Sequence, residues 1–460
     1  MMMKFVDRIA EQARLQKALN GNSASFVVIY GRRRCGKSRL IKEILLPDDI
    51  YFMADQSEAV QQRSLLAKVA GNSLAGFDKV IYPDWGIFFE TLNHRLNRKI
   101  TLCLDEFPYM VKSAPELPSI IQRLMDDKAN MNFNLVICGS SQQLMSGLVL
   151  DSTAPLFGRA DEIMKIQPMQ PLFLQQALDC SAIEAIEEYS IWGGIPRYWE
   201  LRLAETNLHE ALAYHLLTSQ GVLYDEPMRL FLDDMRDTVH SFTILSLIAS
   251  GCSRLSEIAG RLEKPATHLS APLDKLLMLG YIEKEMPFNE NYKNGKKSIY
   301  KIVDPFLHFY FRFVVPNRSF VEIGQTDSVL AQIEAQFAGY VAPLWEKLCR
   351  NAVPFLNINN VSFNPASRWW GKPVKNREIE LDVVAVSRDE KYLLVGECKW
   401  SDRTMDVDKL FADLEQKANL LPFAQGKTIV PALFLKRKPA ALQMENVFFP
   451  EDILQNMPNR

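Results

Sequence analysis

The chain has 460 residues, of which 48% are hydrophobic and 23% are charged. This composition is close to that of an average globular protein and excludes a disordered, collagen-like or coiled-coil chain, while the length predicts about three domains. The 53 basic and 55 acidic side chains give a net charge of −2, so no global positive field attracts nucleic acid, although a local basic face is compatible with this charge.

Cysteine and histidine spacing argues against several classes of site. The seven cysteines include no C-x-x-C pair, so neither a disulfide framework nor a zinc knuckle fits. No two histidines have the spacing H-x-x-H or H-x-x-x-H, which disfavours a histidine metal site. The first residues turn polar before a signal-peptide core forms, and no apolar run reaches the length of a membrane span. We therefore expect a reduced, cytoplasmic protein with no membrane partner.

A phosphate-binding loop is predicted near the amino terminus. The apolar run 25–30 has the composition of a buried parallel strand, and GRRRCGKS at 31–38 follows it directly. This segment matches G-x-x-x-x-G-K-[ST], and the residues after it favour a helix that stops at Pro47. A chance glycine-rich turn is the alternative, which the flanking strand and helix disfavour.

The residue types of this loop suit ATP and Mg²⁺. Gly31 and Gly36 allow the backbone to wrap around phosphates. Lys37 supplies a charge for the β- and γ-phosphates, and the Ser38 hydroxyl is small enough to bind a hydrated Mg²⁺. The arginines at 32–34 are interpreted as solvated or subunit-facing charges, and the cysteine after them as a filler. The predicted nucleotide contacts also include Arg34, Cys35 and Arg39.

Two further strands are predicted beside the loop. The run 100–104 ends in Asp105 and Glu106, which is a Walker B pattern. Asp105 would hold Mg²⁺ through water and Glu106 would act as general base, although Glu106 would alternatively only cap the following turn. The third strand, 135–141, ends in two serines that could sense the γ-phosphate.

Taken together, these segments resemble the archaeal-type P-loop ATPases of the AAA and STAND-like group. The resemblance places residues 5–8, including Arg8, near the adenine and makes Arg159 an arginine-finger candidate. A structural salt bridge is the alternative for Arg159. The Gly-Gly-x-Pro turn would orient a lid on the nucleotide. The segments that carry the resemblance are FVDR at 5–8, GRRRCGKS at 31–38, LDEFPYM at 104–110, ICGSSQQLM at 137–145, PLFGR at 155–159 and GGIPRY at 193–198.

The middle of the chain is predicted to be helical. Residues 200–237 complete a P-loop ATPase domain with a helical lid at 1–237. Residues 238–303 combine three helices with a hairpin that contains Asn-Gly, and they resemble a winged helix-turn-helix. Its third helix has a poor basic face, so an interdomain or lid role is favoured over DNA binding. Only the wing offers a lysine cluster, formed by Lys293, Lys296 and Lys297.

A third module is predicted at 304–460. The aromatic stretch 304–313 resembles the beginning of the DUF234 kind of domain that commonly follows this kind of ATPase. Farther on, strands are predicted at 378–386 and 392–399, joined by a short turn. Asp382, Glu397 and Lys399 on these strands follow the order D…E-x-K of restriction-endonuclease-like nucleases.

The chemistry of such a site would require a metal. Asp382 and Glu397 would share Mg²⁺, with Glu346 as an outer ligand, and Lys399 would orient hydroxide near a scissile phosphate. The alternatives are an ordinary solvated strand, or a nuclease-like fold that keeps its acids for structure or binding. The residues that would flank a nucleic acid in this hypothesis are Trp369, Trp370 and Lys372.

The predicted fold class is therefore α/β, with a P-loop parallel sheet and helical lid, a winged-helix module and a restriction-endonuclease-like domain. We expect an ATP-binding, ATP-hydrolysing enzyme whose nucleotide state controls a DNA-directed, nuclease-like domain. An ATP-driven switch or scaffold, or a winged-helix DNA-binding regulator, is the alternative. ATP and Mg²⁺ are the expected cofactors, and DNA and a second copy of the chain are left open as partners.

Overall fold

The computed structural model describes residues 8–235, 238–290, 297–374, 377–439 and 445–457. Two five-stranded sheets and one two-stranded sheet occur within these ranges. In the same residues, no helix combines the length and the apolar character that crossing a bilayer requires.

The first sheet is entirely parallel. Its strands and their flanking helices are α1 (Ile9–Leu19), β1 (Phe26–Tyr30), α2 (Lys37–Lys42), β2 (Ile50–Met53), α3 (Ala59–Gly71), α4 (Trp85–Arg95), β3 (Ile100–Asp105), α5 (Phe107–Ser113), α6 (Leu117–Asp126), β4 (Phe133–Gly139), α7 (Gln142–Val149) and β5 (Glu162–Lys165). The strand order is β2-β3-β4-β1-β5. This arrangement confirms the predicted P-loop type of sheet.

Burial on both faces explains why the central strands are apolar throughout. Every residue of β1, β3 and β4 is buried. Alternate side chains enter different cores: Val27 and Ile29 pack on one face, and Phe26 and Val28 on the other. Because the strands are parallel, the polar residues after β1, β3 and β4 meet at one edge of the sheet.

Five helices follow this sheet. They are α8 (Pro171–Leu178), α9 (Ala182–Trp192), α10 (Pro196–Leu203), α11 (Leu208–His215) and α12 (Glu226–Asp234). Helix α9 begins with a capping box in which Ser181 and Glu184 bind each other's backbone amides. The turn before α10 is joined to the segment after β5, since Met169 N donates to Gly194 O at 2.8 Å.

The next segment contains three helices and a hairpin, in the order that the sequence predicts. They are α13 (Thr238–Ala249), α14 (Leu255–Arg261), α15 (Ser270–Met278), β6 (Ile282–Glu285) and β7 (Ile299–Ile302), and the two strands are antiparallel. Lys293 and Lys296 of the predicted wing, and the boundary at residue 237, lie outside the described residues. The winged-helix assignment and the domain boundaries stay predictions.

A mixed sheet dominates the last part of the chain, which confirms a separate carboxy-terminal α/β unit. Its elements are α16 (Pro305–Phe309), a π-helical turn (Tyr310–Val314), α17 (Arg318–Glu322), α18 (Thr326–Ala352), β8 (Ser367–Val374), β9 (Arg377–Val386), β10 (Tyr392–Lys399), α19 (Val407–Ala418), β11 (Thr428–Leu435), β12 (Val447–Phe448) and α20 (Pro450–Gln455). The order is β12-β11-β10-β9-β8, with β8 to β10 antiparallel and β10 to β12 parallel.

This unit packs against the helices that follow the first sheet. Tyr340 of α18 donates its hydroxyl to Ser190 O of α9 at 2.7 Å. Lys436, after β11, lies 3.1 Å from the carboxylate of Glu187 in the same helix. One continuous apolar core therefore runs from one face of the first sheet, through the helical segments, to α18.

Candidate functional site

Two glycines shape the loop between β1 and α2. A Cβ added to Gly31 would lie 2.4 Å from the carbonyl oxygen of Ile166, so a larger residue cannot fit without moving the backbone. Gly36 has a φ of +90°, in the left-handed region that favours glycine. The loop conformation therefore depends on the two residues that define the sequence pattern.

Lys37 is held at the end of β1 by this loop. Its ammonium donates to Gly31 O at 2.8 Å and to Arg32 O at 2.9 Å, and Ser140 Oγ lies 3.4 Å away. Only 5% of the residue is exposed. The charge is thus kept at the strand ends by neutral acceptors.

The two acids after β3 have different environments. Asp105 is buried and accepts from the Tyr51 hydroxyl at 2.5 Å and from the Glu106 amide at 2.9 Å. Burial, followed by the hydrogen bond to Asp105, raises the pKa of Tyr51. The Glu106 carboxylate makes no cap on α5 and instead accepts from the Ser140 hydroxyl and, at 3.3 Å, the Ser140 amide. The reading of Glu106 as only a helix cap is therefore wrong.

A cavity of about 370 Å³ opens beside these groups. It brings together most of the predicted nucleotide residues with Glu106, whereas Gly31, Asp105 and Arg159 are absent from its lining. Predicted residues in the lining are Arg8, Arg34, Cys35, Gly36, Lys37, Ser38 and Arg39. Four lid-side residues of the lining were not among the predicted nucleotide contacts. The GGIPRY segment contains two of them, Pro196 and Arg197, whereas Met169 and Glu200 lie outside every segment that carries the resemblance.

Arg8 joins the amino terminus to the loop. Its guanidinium donates to Cys35 O at 3.2 Å and to Gln167 O at 2.6 Å, and it pairs with Glu11 at 2.7 Å. The residue is 4% exposed, although it lines the cavity. Residues 5–7, which the resemblance also assigned to this region, lie outside the described residues.

The interpretation of the loop arginines as solvated or subunit-facing is wrong for two of the three. Arg32 is buried and pairs with Asp304, which precedes α16. Arg34 lies 2.7 Å from the buried carboxylate of Glu226, at the start of α12. These acids come from distant parts of the chain and pack over the loop, so local sequence carried no sign of the pairs.

Arg159 forms a salt bridge, which is the alternative to the arginine-finger role. Its Nε lies 2.9 Å from Asp126 Oδ1, and its side chain is 29% exposed. A role at a neighbouring subunit stays a prediction.

A second cavity, of about 580 Å³, lies at the mixed sheet and brings together the residues of the D…E-x-K pattern. Strands β9 and β10 are antiparallel neighbours, with Val383 opposite Gly396. Asp382 Oδ2 accepts from Cys398 N at 2.8 Å. The carboxyls in the lining are Glu346, Glu378, Glu380, Asp382 and Glu397.

Two lysines bind one carboxylate in this cavity. Lys399 Nζ lies 2.5 Å from Glu397 Oε1, and Lys417 Nζ of α19 lies 3.3 Å from Oε2. Lys417 was missed by sequence reasoning because it lies near the end of α19, well beyond the D…E-x-K pattern. Burial, then Glu346, then Glu397 raise the pKa of Asp382 to about 6.

The charge of the carboxylate cluster suits a cation, but the described side chains do not form a closed set of metal ligands. Mutual repulsion and burial disfavour ionised Asp382, which is the condition that a bound cation would relieve. Across the described part of the chain, no group of three or more His, Cys, Asp or Glu side chains is arranged to hold a metal ion. Two carboxylates with water ligands are the arrangement that suits Mg²⁺ here.

One of the three residues that were predicted to flank a nucleic acid, Trp369, is buried. Trp369 is 8% exposed and belongs to the core of the mixed sheet, where its ring lies 6.0 Å from that of Phe423. The prediction that it flanks a nucleic acid is therefore wrong, since side chains of β8 alternate between core and surface. Trp370 is half-buried, with the Arg368 guanidinium 5.8 Å from its ring centre.

Comparison with known proteins identifies the family. An uncharacterized protein of Methanocaldococcus jannaschii is 31% identical over 425 residues, which are 91% of this chain and 92% of that protein. Residues 5–201 match an ATPase domain predominantly from Archaea, and residues 310–410 match DUF234, a family of archaeal and bacterial proteins of unknown function. The chain belongs to this family of predominantly archaeal ATPases with a DUF234 domain.

Other known proteins are similar to parts of this ATPase. An uncharacterized ATP-binding protein of the same organism is 43% identical over 44 residues, covering 10% of this chain and 75% of that protein. A Walker-type ATPase of Pyrococcus abyssi matches with a TM-score of 0.51 and 21% identity, covering 67% of this chain and 96% of that one. At this identity the likeness shows the fold. The ORC2 protein of Aeropyrum pernix, solved as ADPNP–ADP complexes, matches with a TM-score of 0.48 and 13% identity, over 68% and 94%.

Proposed function

We propose that this ATPase binds ATP with Mg²⁺ in the loop cavity, hydrolyses it, and uses its nucleotide state to control the carboxylate site of the mixed sheet. The observation that carries the proposal is the meeting of Lys37, Glu106 and Ser140 at one end of the parallel sheet. We also propose the division into units at 1–237, 238–303 and 304–460.

Lys37 is the proposed phosphate ligand. Its ammonium now binds two carbonyls of the loop, which are weaker partners for a cation than phosphate oxygens. ATP would replace these carbonyls, the loop amides together with Arg34 and Arg39 would surround the phosphates, and Arg8 would lie near the adenine. Arg197, on the lid side of the cavity, adds a cation that faces the same space.

Ser38 and Asp105 are the proposed groups for Mg²⁺. The Tyr51 hydroxyl binds Asp105 and also interacts with Ser38, so one small polar group connects both proposed ligands. A hydroxyl and a carboxylate fit an ion that keeps most of its water and takes its remaining ligands from phosphate. Bound Mg²⁺ would neutralise charge that develops on the transferred phosphoryl group.

Glu106 is the proposed general base. Both carboxylate oxygens are oriented by Ser140, which holds the group at the cavity. We expect Glu106→Gln to keep ATP binding but to lower the turnover number at least about 100-fold, the usual contribution of a positioned base. Steady-state ATP hydrolysis and calorimetric ATP binding separate these effects.

Matched variants make this experiment specific. Lys37→Ala should lose ATP binding itself, whereas Glu200→Gln changes a carboxylate on the lid side of the same cavity and should keep most of the turnover. Equal turnover in wild type and Glu106→Gln would reject Glu106 as the base.

For the second cavity, we propose metal-dependent action on nucleic acid. Asp382 and Glu397 would hold Mg²⁺, and Lys399 and Lys417 would contact a phosphate. The wild-type chain should cleave some DNA or RNA in the presence of Mg²⁺, and Asp382→Ala or Lys399→Ala should abolish the cleavage. Glu378→Gln, a change at the exposed edge of the cavity, is the control. Wild-type protein that cleaves no better than Asp382→Ala would contradict the proposal.

A second candidate function is an ATP-driven switch or scaffold without nuclease chemistry. It is favoured by the two lysines that occupy both oxygens of Glu397, since such a carboxylate is already neutralised. This function predicts nucleotide-dependent assembly or partner binding that Lys37→Ala abolishes and Asp382→Ala leaves intact. Sedimentation with and without ATP measures the assembly. The same measurement shows whether a second copy of the chain binds, which the proposed finger role of Arg159 requires.

A further inference from the structure

We propose that strand β6 transmits the nucleotide state to the carboxylate site, with Arg350 as a positioning residue for Asp382. The proposal rests on the proposed function, because it names the contacts through which one site would regulate the other. The first two steps connect Gln142 to the segment before β6 side by side, and the third connects β6 to α18.

The first step leaves the nucleotide cavity at the end of β4. Ser140 binds Glu106 and faces Lys37, so a γ-phosphate bound at Lys37 would contact or displace Ser140. Two residues later, Gln142 at the start of α7 donates its side-chain amide to Leu279 O at 3.1 Å. A displacement of Ser140 is therefore transferred to the segment directly before β6.

The second step reinforces the same connection through a buried acid. The backbone amide of Gln142 donates to Asp234 Oδ1 at 3.2 Å, and the Tyr281 hydroxyl donates to Asp234 Oδ2 at 2.9 Å. Asp234 and Tyr281 are 6% and 3% exposed. Since a buried polar group must keep its partners, the start of α7 and the start of β6 have to move together.

The third step joins β6 to α18. Glu283 pairs with Lys347 at 2.6 Å, and Glu285 lies 3.5 Å from Arg350. Arg350 is 7% exposed and donates to the backbone carbonyl of Asp382 at 2.8 Å. It also lies 3.6 Å from the carboxylate of Glu346.

Arg350 therefore contacts both an acid of β6 and two residues that carry the cavity carboxylates. It does not donate to the carboxylate oxygens of Asp382, so it positions strand β9 through the main chain. A buried guanidinium that loses one acid has to pair with another, so Arg350 can shift between Glu285 and Glu346.

Hydrogen exchange of the full chain, followed by mass spectrometry, tests the transmission directly. The probe is Mg²⁺ with a non-hydrolysable ATP analogue, and the peptides compared are 31–42 and 377–399. In the wild type, nucleotide should slow exchange in 31–42 and change the exchange rate in 377–399 at least about fivefold, the lower end of typical allosteric coupling. Neither readout requires catalysis.

Three variants each interrupt one of these steps: Gln142→Ala, Tyr281→Phe and Arg350→Gln. Each should keep the protection of 31–42 and reduce the response of 377–399 to less than about twofold. Tyr310→Phe is the matched control, since Tyr310 loses a buried hydroxyl that donates to Tyr224 O at 2.6 Å, away from these contacts, and it should keep the full response.

The outcomes separate the two proposals. A response of 377–399 that survives in Tyr281→Phe and Gln142→Ala overturns transmission through β6 while leaving nucleotide control standing. A wild-type chain without any response in 377–399 overturns both. Gln142 is half-buried, so Gln142→Ala remains informative if Arg350→Gln fails to fold.

Discussion

The pair between Arg32 and Asp304 should be one of the largest electrostatic contributions to the stability of this protein, and Asp304→Asn tests it. The Arg32 side chain is 10% exposed and that of Asp304 is 8% exposed. Asp304 Oδ1 also accepts from Leu307 N at 3.2 Å, which caps α16. Asparagine preserves the cap acceptor and removes only the charge.

The expected cost follows from burial. After Asp304→Asn the guanidinium of Arg32 stays in the interior without its counterion, and breaking a buried pair in this way costs about 3–5 kcal/mol. Asp304→Ala removes the cap as well and should cost about 1 kcal/mol more. Asp126 is 55% exposed where it pairs with Arg159, so Asp126→Asn should cost less than about 1 kcal/mol.

Urea unfolding, followed by tryptophan fluorescence, measures these differences. Trp192 and Trp199 are fully buried in the core to which α16 also contributes, so unfolding of this region changes the fluorescence signal, which all seven tryptophans share. The double variant Arg32→Gln with Asp304→Asn should lose at least about 1 kcal/mol less than the sum of the single variants, since it leaves no unpaired buried charge.

Two results would refute this reasoning. If Asp304→Asn costs no more than Asp126→Asn, the pair is not desolvated in solution. If the single effects add without coupling, Arg32 and Asp304 do not stabilise each other, and the loop is not tied to α16.

Three further predictions concern titration and backbone geometry. The pKa of Asp382 is raised to about 6, so the stability that its protonated form contributes is lost as the pH rises from about 4 through 6. Asp382→Asn should therefore raise the melting temperature at pH 8 in EDTA but leave it unchanged at pH 4. Burial, and after it Arg312, lower the pKa of His308 to about 4, so folding stability is lost as the pH falls from about 6.5 to 4. His308→Phe keeps the ring contact with Tyr340 and should flatten the melting-temperature profile in this pH range. Gly31→Ala should abolish calorimetric ATP binding, whereas Gly147→Ala, with open space around its Cβ inside α7, should raise stability by about 0.5–1 kcal/mol in urea unfolding.

Much of the nucleotide site could be predicted from sequence, because its geometry is largely local. The spacing of Gly31, Gly36, Lys37 and Ser38 defines a loop between a strand and a helix, and parallel strands bring the residues after β3 and β4 to the same edge. Strand alternation likewise predicted that Glu397 and Lys399 share a face, and the short turn made β9 and β10 neighbours.

Tertiary structure alone decided which charges of these sites are paired. Arg32 meets Asp304, Arg34 meets Glu226, and Arg350 connects β6 to Asp382, in each case between segments far apart in the chain. Sequence spacing specifies contacts within a few residues or between neighbouring strands, whereas these pairs depend on how helices pack over the sheet edges. The same packing buries Trp369 and brings Lys417 to Glu397, so the sequence determined the chemistry of each site and the fold decided its connections.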